Sequence, residues 1–165
     1  MQDVIEDSFV VWEPYHKGVH LCDRFLVEQW EQIAGDIESD TEWADFVGRY
    51  SNSVKCWVLK IKKTKLPIAF IYLFNEDGIW KTVSIHGGGW KIPLMYYRGY
   101  MLMLKYLLDQ NIKVRTYCQL SNRTAIRFSR SVGFVPYKYT DNNVLMWISS
   151  KRLINTKLYK RFFNI

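Results

Sequence analysis

The sequence predicts an α/β fold of α+β arrangement, with a mixed, mostly antiparallel central sheet and helices on both of its faces. Three observations predict it. Two early segments carry apolar residues at helical spacing, the period then drops to two from Val54 into a strand meander, and after three consecutive glycines helical and strand-like stretches alternate to the end. At 165 residues, 48% hydrophobic and 16% aromatic, the chain suits one core rather than two. A single domain over 1–165 is therefore expected, ending in a basic extension over 151–165.

Residues 9–15 (FVVWEPY) are rich in strand formers and run into a proline turn, which makes them the first strand. Cys22, Phe25, Leu26, Trp30 and Ile33 form the stripe of an amphipathic helix stopped by Gly35. A second helix carries Trp43, Phe46, Val47 and Tyr50 behind a cap at Asp40 or Thr41. From Val54, Cys56, Val58, Lys60 and Lys62 alternate with Lys55, Trp57, Leu59 and Ile61, as in a strand with one buried face. Residues 66–74 form the next strand, and the turn Asn75-Glu76-Asp77-Gly78 leads into another over 79–86. Gly87, Gly88 and Gly89 stop it. Beyond Pro93, a wide stripe of Tyr97, Tyr100, Met101, Leu104, Leu107 and Leu108 predicts a central helix ending near Gln110 and Asn111. A strand over 113–120, a helix over 122–132 closed by Gly133, and a hairpin of 135–139 with 144–149 complete the order.

The charge is divided along the chain. Residues 1–50 hold 12 acids and 3 bases, whereas the remaining 115 hold 4 acids and 20 bases. A basic later part suits a polyanion such as a phosphate-bearing cofactor or nucleic acid, and an acidic early part suits a cationic substrate or partner; solvated surfaces explain either block simply. Cys22, Cys56 and Cys118 are odd in number and far apart, which excludes a disulfide scaffold and a zinc ribbon and points to a reducing compartment. The longest apolar run, 68–74, is far short of the roughly 18 residues that cross a bilayer, and the acidic start is no secretory signal, so a cytoplasmic protein is expected.

Residues 122–134, Asn-Arg-Thr-Ala-Ile-Arg-Phe-Ser-Arg-Ser-Val-Gly-Phe, resemble the fourth-helix signature N-x-x-A-x-x-x-Y-x-x-x-G-F of the GNAT superfamily of N-acetyltransferases. The order of elements resembles that superfamily over essentially the whole chain. The resemblance implies that the fourth and fifth strands, 81–86 and 114–120, run parallel but splay apart to seat the pantetheine arm of acetyl-CoA. Amides of Ile85, His86 and Gly87 would then bond the cofactor and hold the thioester oxygen. The family's pyrophosphate pattern Q/R-x-x-G-x-G/A falls best on 98–103, with Arg98, Gly99, Tyr100 and Met101 in it but methionine at both glycine-type positions. Asn122, Arg98 and Arg127 would help hold the cofactor.

Ser129 stands where many family members place the tyrosine that protonates the departing sulfur. His86, with an unperturbed pKa near 6.5, is the best general base available, and Ser84 shares its strand face. Cys118 reads more simply as a small buried hydrophobe than as a nucleophile. The acids Glu28, Glu31, Glu38 and Glu42 lie where the family borders its acceptor, an amine-bearing small molecule or protein. Two functions follow: an acetyl-CoA-dependent N-acetyltransferase, or a catalytically silent relative working as a binding or structural module within a larger assembly. A third reading, nucleic-acid binding through the basic portion, predicts strongly salt-dependent affinity, though no recognition motif supports it. The basic end, with Leu153, Ile154, Leu158, Phe162 and Phe163 on a rough helical stripe, is expected to dock on the sheet rather than cover a partner or touch lipid.

Overall fold

The computed structural model describes residues 3–14, 54–76, 78–86 and 94–163, some positions of the central strands as backbone alone. The two expected early helices, the glycines at 87–89 and the four glutamates lie outside the described residues. The chain divides into two compact units, 1–74 with 84–96 and 75–83 with 97–165.

In the first unit β1 (Ile5–Glu6), β2 (Val10–Pro14), β3 (Val54–Ile61) and β4 (Pro67–Glu76) form consecutive antiparallel pairs. The two-residue β1 is too short to show a period, so the sequence did not foretell it. It is tied to β2 by Asp7, whose Oδ1 accepts the amides of Phe9 and Val10 at 2.8 and 3.0 Å, a turn that aspartate forms readily. The register sets Trp12 beside Leu59 and Trp57 beside Ile71, all buried. Val58 is buried as well, so β3 has apolar cover on both faces where alternation suggested one. Lys60 and Glu13 close an ion pair at 2.8 Å.

β5 (Ile79–His86), whose residues up to 83 belong to the second unit, pairs in parallel with β6 (Val114–Gln119) through Trp80↔Val114, Lys81↔Arg115 and Thr82↔Thr116. β6 pairs antiparallel with β8 (Asn143–Trp147), and β8 with β7 (Val135–Tyr139). Helix α1 (Leu94–Asp109) precedes β6 and α2 (Arg123–Ser131) follows it. Both helices end alike. The Ile112 and Asn111 amides bond the Leu107 and Leu108 carbonyls after α1, and the Phe134 and Gly133 amides bond those of Ser129 and Arg130 after α2. Each is a left-handed cap closed by an apolar residue, with Asn111 (φ 58°) and Gly133 (φ 109°) at the turn.

The basic extension is folded into α3 (Ser150–Asn155) and α4 (Lys157–Phe163). Ser149 caps α3, and Thr156 ends α3 while its hydroxyl accepts the Tyr159 amide to start α4. Leu153 and Tyr159 are buried. The backbone at Arg152 and Leu153 passes so near Gly133 that a Cβ there would meet it at 3.3 Å. Of the expected stripe only Leu153 is buried, while Ile154 is exposed and Leu158, Phe162 and Phe163 are half-buried; Tyr159, outside that stripe, supplies the other buried side chain.

Candidate functional site

Ser84, Ile85 and His86 are the last residues of β5, and Gly87 lies outside the described residues. The other candidates sit on α1, α2 and β6.

Helix α1 forms because Tyr96, Tyr100, Met103, Leu104 and Leu107 repeat at intervals that bury one broad face. It starts at Leu94, four residues before Arg98. The amides left without helical partners are thus those of 94–96, while the amides of Gly99, Tyr100 and Met101 bond carbonyls one turn back. This corrects the expected register: the stretch 98–103 lies inside the helix, not ahead of it. Tyr100 and Met101 are 2% and 0% exposed, so their side chains belong to the core.

Arg98 is half-buried against the end of the chain. Its Nη1 donates to the Phe162 carbonyl oxygen at 3.1 Å, and the guanidinium lies 5.9 and 5.2 Å from the ring centres of Phe162 and Phe163. That carbonyl belongs to the last turn of α4, where carbonyls lack helical donors and carry the negative end of the dipole. No sequence signal marks a backbone carbonyl 64 residues away as the partner of an arginine.

Asn122 caps α2, its Oδ1 accepting the Ala125 amide at 3.0 Å. Arg123, Arg127 and Arg130 are exposed, and their spacing sets them on one face of the helix. Phe128 turns inward to meet the Tyr97 and Tyr100 rings at 4.8 and 5.0 Å. Ser129 is also internal, 5% exposed, with its Oγ 3.5 Å from the Sγ of the buried Cys118. The structure thus joins Ser129 to Cys118, an arrangement of two small polar groups that satisfy each other rather than face a ligand. Burial raises the Tyr159 phenol above its ordinary pKa; Asp109 adds to the rise and Lys105 opposes it.

For a phosphate-bearing cofactor, the exposed cations of α2 are suitable donors. Ser129, sealed against Cys118, does not fit the part of proton donor to a leaving thiolate.

No protein-family model matches the chain, and no curated protein sequence matches it. Solved structures do. A spermidine N-acetyltransferase from Vibrio cholerae in complex with CoA and spermine superposes with a TM-score of 0.70 at 14% identity, over 90% of this chain and 100% of the other. A GCN5-related N-acetyltransferase from Brucella melitensis gives 0.73 at 14% identity, over 99% and 85%. The ribosomal-protein-S5-alanine acetyltransferase from Vibrio fischeri gives 0.68 at 12%, over 92% and 99%. The chain has the GNAT fold, in a divergent form. No helix among the described residues is long and apolar enough to cross a membrane.

Proposed function

We propose that the chain is an acetyl-CoA-dependent N-acetyltransferase that acetylates a primary amine by direct attack. The observation that carries this reading is the β5–β6 parallel pair followed by an Asn-capped, Gly-closed α2, within a fold shared with N-acetyltransferases. Acetyl-CoA supplies the acyl group as a thioester, already activated towards amines. His86 takes the proton that the amine nitrogen loses on attack, with Ser84 beside it in sequence on the same strand face. Amides of Ile85, His86 and Gly87 stabilise the developing oxyanion. Asn122 and Arg127 on α2 help hold the anionic part, with Arg98, Gly99, Tyr100 and Met101 shaping α1. The departing sulfur draws its proton from water, because a thiol of pKa near 8.5 leaves readily without a dedicated acid.

The acidic residues of 1–50 favour a cationic acceptor, so polyamines and peptide amines head the panel to be tried. Calorimetric titration with acetyl-CoA should show binding, and release of free CoA thiol should follow addition of an acceptor. No heat at millimolar acetyl-CoA removes the proposal. His86→Ala should keep cofactor affinity while slowing transfer at least about 100-fold; unchanged turnover clears His86.

A second reading, a catalytically silent GNAT-fold module held in a larger assembly, is favoured by Arg98 being taken up by α4 and Ser129 by Cys118. Cofactor binding without turnover on any acceptor selects it.

A further inference from the structure

The outer face of the β6–β8–β7 sheet has a composition that acetyl transfer leaves unused. Directly paired residues of antiparallel strands share a face. One row there is Arg115, Trp147 and Val135, and the next is Tyr117, Leu145 and Lys138, with Tyr137 on a bulge beside Lys138. Trp147 is 38% and Tyr137 42% exposed, large values for rings in a sheet. Arg115 stacks on Tyr137, its guanidinium 4.9 Å from the ring centre, and Arg152 from α3 lies 5.4 Å over Trp147. Between Arg115, Tyr117, Tyr137, Asn143 and Leu145 the face opens a pocket of about 110 Å³, comparable with the roughly 150 Å³ cavity known to hold one benzene ring.

The segment that carries this face is mostly basic, although Asp141 lies in the turn between the pocket-lining Thr140 and Asn143. Residues 94–163 contain thirteen Lys and Arg against two acids, Asp109 and Asp141, and Asp109 is already paired with Lys105. The partner must therefore be anionic, and it must present flat apolar rings to stack on. A lipid surface meets only the first condition. A second copy using the same face would set arginine against arginine.

We infer that this face binds single-stranded nucleic acid, its bases stacking on the Arg115–Tyr137 and Arg152–Trp147 pairs and its phosphates lying along the flanking Lys and Arg side chains. The polar lining of the pocket, Asn143 and Thr140, offers hydrogen bonds to the edge of a base seated there. Duplexes bind less well, since their bases are already stacked on each other.

The test is fluorescence anisotropy of the full chain with a labelled single-stranded oligonucleotide of about 15 residues, across a salt series. Expected are affinity that falls steeply with salt and roughly tenfold weaker binding for Tyr137→Ala and for Trp147→Ala. Tyr137 is exposed enough for its variant to fold, which circular dichroism verifies, so a misfolded Trp147→Ala leaves the test intact. The inference is overturned by any of four results: no binding at low salt, equal affinity for a matched duplex, insensitivity to both ring substitutions, or sedimentation showing a dimer that Tyr137→Ala dissociates. Binding to anionic vesicles with none to the oligonucleotide overturns it too.

Discussion

Helices α1 and α2 keep the family pattern to different degrees, and the positions at which they keep it are of one kind. On α2, Asn122 survives as the cap and Gly133 as the left-handed stop. Both are demanded by backbone geometry alone. On α1, methionines occupy the two glycine-type positions, and Met101 and Met103 are completely buried. The tyrosine position of α2 has gone the same way, to a Ser129 enclosed with Cys118. What persists builds the scaffold; what has changed is what would face a cofactor, and the replacements have been drawn into the core.

The sharpest way to break that contrast is to restore the family residue on α1. Met101→Gly removes a buried side chain, costing about 2–5 kcal/mol, and adds about 1 kcal/mol of helix propensity. Urea denaturation should show it as the most destabilising of these changes; a near-neutral result would mean that Met101 is dispensable packing and that the loop reading of 98–103 should be revived.

Gly133→Ala comes next. It combines a strained positive φ with a Cβ pressed to 3.3 Å from the Arg152 and Leu153 backbone, which cannot yield cheaply. A loss of about 2–3 kcal/mol is expected. The control is Gly78→Ala, at φ 80° but with nothing within 4 Å, where about 1 kcal/mol of strain is all that remains. Equal losses at the two sites would show that the docked extension does not constrain Gly133. Asn122→Ala should cost about 1 kcal/mol as a lost cap; a selective loss of cofactor affinity with unchanged stability would reassign Asn122 from scaffold to ligand.

The smallest effect is a pH slope. Because burial, with Asp109, raises the Tyr159 phenol in the folded chain, the stabilisation is complete below the ordinary phenol value near 10 and declines as pH rises above it. Melting temperature should therefore fall less steeply in alkali for Tyr159→Phe than for the parent chain. Parallel alkaline profiles would remove Tyr159 from the account of how α4 is held.

Much of the fold was legible because its signals are local. The Asn122 cap, the Gly133 stop, the α1 stripe and the 135–149 hairpin each depend on residues a few positions apart, so period and turn chemistry reveal them. The two-residue β1 carries too few residues for a period, and the second buried face of β3 depends on what packs against Val58. Candidate-site residues were less legible. Arg98 matches the Q/R position of the pattern and Ser129 departs from its tyrosine, but a motif register cannot tell a side chain facing solvent from one facing the core.

The sequence by itself determined the order of the described strands and helices from β2 on, the caps that bound them and the split of charge between residues 1–50 and the rest, since hydrophobic period and backbone preference act over a handful of residues. Only the tertiary structure decided that Arg98 spends its donors on the Phe162 carbonyl, that Ser129 closes on Cys118, and that Arg115, Tyr137, Trp147 and Arg152 share one open face. Those pairings join residues that only packing and strand register bring within reach, and which partner a polar or aromatic group finds is settled by what folding leaves beside it.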